Sequence, residues 1–211
     1  MNAIEIGNTL QELGFTDGSI VETIMVTENI DGSYNAAPMG VLYSSGFFEA
    51  RPYKSSTTYR NLHYGSQASI NVTDDPLLFL GSAFKTELDW SPCVADWVLK
   101  DTYATIILEK QYEYPLTDLQ MGIKLAPTRL IINRSLPRVF SRGRSDAIEA
   151  IIHATRVKVF HSEGHDEKVM KLLGRLDDCF EVICRVSGAG SSEMHVVETL
   201  KKLLTKWGIP R

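Results

Sequence analysis

The residues best suited to chemistry lie together in residues 51–61, which read RPYKSSTTYRN. Three cations, Arg51, Lys54 and Arg60, surround four consecutive hydroxyl residues at positions 55–58. We expect a helix to begin there, and the free N–H groups and positive dipole end of a helix attract an anion. With hydroxyl donors and a lysine, the segment could hold a dianionic phosphate monoester. A plain helix cap with solvated charges explains the pattern equally well.

Two further segments could approach a flat ring. Residues 35–41 are mostly small; Gly40 weakens strand packing and Pro38 removes a backbone donor. Such a strand lets a ring lie close to the backbone, although an irregular edge strand without a ligand is the simpler explanation in isolation. Residues 70–75 end a strand with polar groups, which alone would mean little.

The elements that position these segments are short strands with one intervening helix. The apolar pattern predicts a helix over residues 56–64 and strands over 19–28, 33–43, 47–53, 68–72, 103–112 and 129–133. Asp31-Gly32 supplies the positive φ angles that a tight hairpin requires. Several short strands with one helix predict a small closed or partly open barrel.

After about residue 140 the apolar period changes from two to 3.6, which predicts helices. Three amphipathic stripes are visible, around Ile148, Leu172 and Leu200. Ser145 or Asp146 is placed to cap the first helix, and the last should stop at Gly208. We therefore predict an α+β protein with a mainly β domain over residues 1–140 and a helical domain over 141–211.

Composition narrows the class of protein. The chain has 211 residues, a formal net charge of -4 and 44% hydrophobic residues, which is ordinary for a globular protein. That charge makes nucleic acid an unlikely partner, and no segment has the ~20 uncharged apolar residues that span a bilayer. Cys93, Cys179 and Cys184 cannot form a disulfide framework, and the acidic N-terminus is unlike a signal peptide. We expect a cytoplasmic protein without a membrane partner.

In this order, the three chemical segments resemble the FMN-binding split-barrel superfamily, which includes flavin reductases and pyridoxamine-phosphate-oxidase-like proteins. The chain is most similar to an uncharacterised, mostly archaeal branch whose members carry a C-terminal helical segment. The similarity rests on Asp31-Gly32 and on residues 35–41, 55–62, 71–76 and 142–156. It implies a split β-barrel that binds FMN, followed by helices.

The resemblance also implies roles for individual residues. The FMN phosphate and ribityl chain would be bound by Lys54, Ser55, Ser56, Thr57, Thr58 and Asn61. The isoalloxazine would face Pro38, Met39, Gly40 and Val41, and its edge would be flanked by Asn71, Val72 and Thr73. Arg51 lies just outside the matched stretch and is added as a further candidate. Because such split barrels are usually homodimers with flavin near the interface, a homodimer is implied.

Other patterns are weaker. His161 and His165 have the spacing of two metal ligands on a helix, but Gly164 predicts a loop and no third ligand is obvious nearby, so we expect no metal. Residues 187–191 contain two glycines of a dinucleotide-binding loop, yet lack the third and any βαβ unit. We interpret them as an interhelical turn.

A basic cluster is either a solvated linker or a contact for an anionic second substrate or phosphorylated cofactor: Arg129, Arg134, Arg138, Arg142 and Arg144.

Two functional classes follow. A flavin-dependent oxidoreductase, resembling a flavin reductase, needs no catalytic acid or base from the protein, and the sequence has no recognisable catalytic dyad or triad. Its partner would be a small-molecule electron donor or acceptor, such as NADH, NADPH or a deazaflavin. The alternative is a non-catalytic FMN-binding module that serves as a sensor, carrier or assembly partner. A third interpretation is an anion-binding protein without flavin, in which the same Ser, Thr and Lys residues bind another phosphate ester.

Overall fold

The structure, a computed structural model, describes residues 3–133 and 141–209. The chain divides into two compact units, which we call the barrel unit (residues 1–73 and 92–136) and the helical unit (74–91 and 137–211). The helical unit is therefore discontinuous in sequence, because residues 74–91 pack with helices that follow much later. A boundary between folding domains at residue 140 stays a prediction.

The barrel unit is built on antiparallel strands. Its described strands are β1 (Ser19–Glu28), β2 (Tyr34–Ser44), β3 (Phe47–Ala50), β4 (Gln67–Val72), β5 (Val94–Ala95), β6 (Val98–Leu99), β7 (Ala104–Pro115) and β8 (Met121–Ile132). Six of them close into a barrel in the order β1-β2-β3-β8-β7-β4, and β5 with β6 forms a separate small hairpin. A barrel with helices after it confirms the predicted fold class.

Local chemistry explains the first hairpin. Gly32 has a φ of +80°, and the Asp31 carboxylate accepts hydrogen bonds from the backbone N–H and the hydroxyl of Ser33. Glu28 then pairs with Tyr34, which sets the register of β1 against β2. Alternate side chains enter the barrel, where Met25, Ile70 and Ile106 are fully buried in one apolar core.

Two helices belong to the barrel unit, α1 (Ala3–Glu12) and α2 (Thr57–Tyr64). Each contributes to the barrel core, α1 through Leu10 and α2 through Leu62. The predicted helix over residues 56–64 is confirmed, with Ser56 as its N-cap rather than its first helical residue. The predicted last strand was too short, because β8 begins at Met121 instead of near residue 129.

The helical unit contains α3 (Pro76–Ala83), α4 (Arg142–Ser162), α5 (Asp166–Val186) and α6 (Ser192–Lys206). The three long helices are confirmed, and the stripes of α5 and α6 bury Leu172 and Leu200 as predicted. In α4 the predicted stripe is wrong in part, because Ala150 and Ala154 are buried while Ile148 is only half-buried. The predicted cap of α4 is wrong: Ser141, not Ser145 or Asp146, accepts a hydrogen bond from the N–H of Arg144 at 3.3 Å. Among the described helices, none has the length and apolar content to cross a membrane.

Candidate functional site

The predicted phosphate cradle, residues 54–58, forms the loop and first residues of α2. The Ser56 hydroxyl accepts a hydrogen bond from the N–H of Tyr59 at 3.1 Å and donates to the carbonyl of Tyr53 at 2.7 Å. The Thr57 hydroxyl accepts from Arg60 at 3.1 Å. A hydroxyl has one proton to donate, and Ser56 donates its proton to the Tyr53 carbonyl. Thr57 only accepts in its bond with Arg60, so its proton is available to an anion.

The outer and inner ends of the cradle differ in exposure. Lys54 and Ser55 are exposed, while Thr58 is only 3% exposed and its hydroxyl accepts a 3.3 Å hydrogen bond from the buried amide of Asn35. An anion at the helix start would therefore meet Lys54, Ser55 and Thr57 directly. Thr58 contributes instead to the packing of α2 against the barrel.

The backbone of the cradle loop is fastened to the end of the β7–β8 hairpin. The N–H of Lys54 donates to the carbonyl of Leu119 at 2.9 Å. The Gln120 side chain donates to the carbonyl of Arg51, and the N–H of Met121 donates to the carbonyl of Pro52. These bonds fix the loop before α2 begins, so its donors are pre-positioned for a ligand.

The cations of the cradle have different partners. Arg51 forms an ion pair with Glu49 at 2.7 Å, and the other oxygen of Glu49 accepts a 2.8 Å hydrogen bond from the Tyr114 hydroxyl. Although burial raises the pKa of Glu49, the hydrogen bonds from Tyr114 and Arg51 bring that pKa below its ordinary value. In the part of the chain that the structure describes, no carboxylate pairs with Lys54. Lys54 is therefore the cation with more charge to offer an anion.

Asn61 lies behind the cradle in a small amide network. Its side-chain N–H groups donate to the Thr27 hydroxyl at 3.0 Å and to the Asn29 amide oxygen at 2.8 Å. Asn35 donates to the same Thr27 hydroxyl at 3.2 Å. These bonds tie α2 to the β1–β2 hairpin. They give Asn61 a positioning role that its sequence match did not reveal, because the network joins residues far apart in the chain.

Residues 38–41 alternate between the two faces of β2. Met39 and Val41 pack on the barrel core, so Pro38 and Gly40 lie on the outer face. A Cβ added to Gly40 would come within 3.1 Å of the Glu22 carboxylate, which shows how closely side chains approach that glycine. A flat ring could therefore reach Pro38 and Gly40 by side chain and backbone, but Met39 and Val41 only by backbone.

Asn71 occupies the same row as Pro38, because Ile24 of β1 pairs with both residues. Its side chain is fully buried and makes four hydrogen bonds, to the Ile24 carbonyl and Ser69 hydroxyl and from the Leu99 N–H and Thr105 hydroxyl. These bonds use the whole capacity of an amide side chain. The structure therefore brings Asn71 into line with Pro38 without offering its side chain to a ligand.

The neighbours of Asn71 are similarly enclosed. Val72 packs against the barrel core, and its carbonyl accepts a 2.8 Å hydrogen bond from the N–H of Tyr103. Thr73 directly follows β4 and is 8% exposed. Of the residues predicted to flank a ring edge, none of these three presents an exposed side chain.

A cavity of about 740 Å³ lies in the barrel unit beside the predicted cradle. Its walls come from the hairpin tip at residues 28–31, from residues 60–61 and 64–67, and from Trp97. Asn61 is the predicted site residue that lines it, and neither the strand at 38–41 nor residues 54–58 contribute. The cavity and the cradle are thus neighbouring but different places.

The weaker patterns have structural explanations where they are described. Gly164, with a φ of +73°, ends α4 between His161 and His165, and no group of three metal-ligating side chains exists among the described residues. Residues 187–191 form the turn between α5 and α6, as predicted.

Two of the three described arginines of the predicted basic cluster form ion pairs. In the barrel unit, Arg129 pairs with Asp96 at 2.8 Å. In the helical unit, Arg144 pairs with Asp74 at 2.9 Å, and Arg142 is exposed. Arg134 and Arg138 lie outside the described residues. The two ion pairs account for two of the three described arginines without a ligand.

Residues 21–134, more than half of the chain, match a family model described as a protein of unknown function, the DUF447 N-terminal domain. This chain belongs to that family. No curated protein matches the sequence. The fold is similar to the crystal structure of an FMN-bound DUF447 protein from Methanosarcina mazei, with 25% identity, a TM-score of 0.72, and coverage of 92% of this chain and 98% of that one.

More distant structures are also similar. A flavin reductase domain protein from Arthrobacter sp. FB24 has 13% identity and a TM-score of 0.45, with 64% of this chain and 99% of that chain covered. An FMN-binding protein from Thermus thermophilus has 11% identity and a TM-score of 0.44, with 54% and 71% covered. The predicted membership of a split-barrel branch with C-terminal helices is confirmed by the family match and by the Methanosarcina relative.

Proposed function

We propose that this DUF447 protein binds FMN through the cradle at the start of α2. The observation that carries the proposal is the FMN-bound relative, which covers 92% of the chain. The family match over residues 21–134, which relates the two proteins, includes the cradle. The cradle fits a phosphate monoester, since it combines a helix start, the unspent Thr57 proton and the Lys54 ammonium on a fastened loop. Ser55 adds an exposed hydroxyl.

The remaining predicted residues would act in two ways. Pro38 and Gly40 would lie against the isoalloxazine, with Met39 and Val41 contributing backbone. Ser56, Thr58 and Asn61 would hold the cradle in shape, and Asn71, Val72 and Thr73 would hold the strand beneath. Arg51, already paired with Glu49, would add a more distant positive charge. Bound FMN would supply hydride and electron transfer, while the protein would position it and set its electrostatics.

We further propose that the protein is an oxidoreductase that passes electrons through this flavin to or from a small molecule. The alternative, a non-catalytic FMN module, uses the same residues for binding. Anaerobic mixing of the flavin-loaded protein with NADH, NADPH or a reduced deazaflavin separates the two. Rapid loss of the oxidised-flavin absorbance after one of these donors is added supports the oxidoreductase. A flavin that none of these donors reduces supports the non-catalytic module.

The binding proposal is tested by an absorption spectrum after FMN is added in excess and desalted away. The wild-type protein should retain a two-banded flavin spectrum. Lys54→Ala with Thr57→Ala should lose it, because a dianion loses its cation and a hydroxyl donor. The control Lys100→Ala with Thr16→Ala removes the same groups from exposed positions that are not among the predicted site residues. A colourless wild-type protein would refute FMN binding and leave the cradle for another phosphate ester.

A homodimer is the assembly that we propose for the flavin-loaded protein. Beside Gly40, on the outer face of the barrel, Ile20 is 64% exposed, which leaves an apolar side chain uncovered where the ring is expected. Sedimentation of the purified chain should give twice the 23.6 kDa protomer mass. A protomer mass at micromolar concentration with FMN bound would contradict the dimer without affecting the cradle.

A further inference from the structure

The cavity beside the cradle has the properties of a ligand site. Its volume of about 740 Å³ falls within the ~300–1,000 Å³ that is usual for small-molecule pockets. It is lined by flat rings, amides and charges together, including Trp97, Tyr64, Gln67 and Arg60. The lining is richer in polar and charged side chains than that of most small-molecule pockets, so a ligand of this cavity should carry several polar groups beside a ring.

Trp97 is held against the cavity in a strained backbone conformation. Asp96 and Trp97, which connect β5 to β6, have φ angles of +48° and +69°, a region that bulky L-residues rarely adopt. The ring packs edge-on against Tyr34 at 5.3 Å, and the Trp97 carbonyl accepts a 2.7 Å hydrogen bond from Ser69. A two-residue hairpin turn requires positive φ at both of its central residues, and this turn places the indole, which is 9% exposed, in the wall of the cavity.

Two further apolar side chains border the cavity without being covered by the protein. Tyr64 is 85% exposed at the end of α2, and Ile30 is fully exposed at the tip of the β1–β2 hairpin. Together with Trp97 they offer apolar and aromatic surface to a single ligand. A planar heteroaromatic ring is the group that gains most from such surroundings.

The charged side chains that line the cavity indicate which groups the ligand should carry besides its ring. Arg60 brings one cation, held by its hydrogen bond to Thr57, and it pairs with no carboxylate among the described residues. Glu28 and Asp31 bring two carboxylates, which accept hydrogen bonds from hydroxyl groups but repel anions. Because the two carboxylates outnumber the cation, a polyphosphate is disfavoured. A single phosphate would have to contact Arg60 directly, while the hydroxyl groups of a sugar could donate to the carboxylates.

We propose that this cavity binds a second mononucleotide, with its ring between Trp97 and Tyr64 and its phosphate at Arg60. The site is distinct from the flavin cradle, because residues 38–41 and 54–58 take no part in lining it. The inference of a second ligand rests on the proposed function in one respect, namely that FMN occupies the cradle. The Thr57–Arg60 hydrogen bond would make the two ligands neighbours.

The test is calorimetric titration of the FMN-saturated protein with AMP and with nicotinamide mononucleotide. At least one probe should bind; its nucleoside, which lacks the phosphate, should bind about 10-fold more weakly, and ribose 5-phosphate should not bind detectably. Arg60→Gln should abolish the difference between nucleotide and nucleoside. Tyr64→Ala should weaken both about 10-fold. The control Tyr112→Ala removes another exposed tyrosine, one that does not line the cavity, and should change nothing.

Three results would overturn the proposal: neither probe binds, the probe releases FMN, or Tyr64→Ala binds the probe like wild type. Release of FMN would mean that the flavin itself uses the cavity. Because Tyr64 is largely exposed, its substitution leaves the core intact, so lost binding cannot be attributed to misfolding. If the protein retains no FMN, the proposed function fails. The same titration of the flavin-free chain still tests whether the cavity binds a mononucleotide, so the two failures can be distinguished.

Discussion

Two cations flank the start of α2, and their surroundings predict unequal contributions to phosphate binding. Arg51 is neutralised by Glu49, whereas Lys54 has no described carboxylate partner. Lys54→Ala should therefore weaken FMN binding about 10- to 100-fold, as expected for one hydrogen bond between charged groups. Arg51→Ala should change the dissociation constant by less than about threefold, because a paired charge offers little to a second anion. Flavin fluorescence titration measures both, and the reverse order would contradict the electrostatic argument.

Individual residues in and near the cradle show which features the sequence could predict and which needed the structure. The helix start at residues 56–57 could be predicted because a run of hydroxyl side chains is typical of a helix N-terminus. The separate duties of Ser56, Thr57 and Thr58 could not, because they depend on partners such as Tyr53 and Asn35 in other elements. The prediction that Asn71 contacts the flavin likewise could not take account of its four buried hydrogen bonds, whose partners lie in other parts of the chain.

Among the elements, the β7–β8 hairpin supports the cradle through a close packing contact. A Cβ added to Gly122 would lie 2.4 Å from the Tyr114 ring, whose hydroxyl binds the Glu49 that holds Arg51. Gly122→Ala should therefore destabilise the chain by about 1–3 kcal/mol, the usual cost of overpacking. It should also weaken flavin retention.

The matched control for that change is Gly7→Ala in α1, where an added Cβ meets no atom within 4 Å. An unobstructed helical glycine replaced by alanine should stabilise the chain by about 0.5–1 kcal/mol. Urea unfolding of both variants measures whether the free energy of unfolding falls for Gly122→Ala and rises for Gly7→Ala. Equal effects of the two substitutions would show that Tyr114 can move aside.

In the helical unit, α4 carries a buried titratable group. His153 is 4% exposed, its Nδ1 finds no hydrogen-bond partner among the described residues, and its Nε2 lies 3.2 Å from Glu149. Burial lowers the pKa of His153, although Glu149 opposes the shift. The folded chain thus disfavours the protonated form, while the unfolded chain takes up a proton near pH ~6.5. Stability should be full above that pH and fall as the pH drops towards the folded pKa.

Urea midpoints at pH 7.5 and pH 5 test this sign. His153→Leu removes the titrating group, so the loss of stability between the two pH values should be smaller than in wild type. His195→Gln is the control, because His195 is exposed on α6. A wild-type dependence that survives in His153→Leu would assign the acid sensitivity to other groups.

Two elements that sequence reasoning missed, α3 and the first part of β8, lack the expected periodicity. The helix α3 is short and apolar on nearly every side, PLLFLGSA, so it has no amphipathic stripe to detect. The beginning of β8 contains Gly122 and Pro127, residues that count against a strand. In the structure Pro127 pairs with Leu108, beside an irregularity in the β7–β8 register, where the missing donor is tolerated. By contrast, β1 is rich in β-branched residues next to a clear turn and was predicted with its observed bounds.

For the whole molecule, the discontinuous helical unit changes the meaning of a truncation. Removing residues 141–211 would take away the helices that pack with α3, whose Phe79 and Leu80 are buried. Such a truncation is the direct test of whether the helices stabilise the proposed dimer. Because residues 74–91 belong to the same unit, the truncated chain would also expose apolar surface of its own.

A chain of residues 1–140 should therefore aggregate or bind a hydrophobic dye, whatever its effect on the dimer. The matched variant carries the same truncation with residues 74–91 replaced by an equally long Gly/Ser segment, which keeps β4 and β5 connected but removes α3. It should stay in solution, and light scattering and dye fluorescence compare the two. If the variant sediments as a monomer while the full chain is a dimer, the helical unit stabilises the dimer. A simple 1–140 chain that is as well behaved as the variant would show that α3 does not need its later partners.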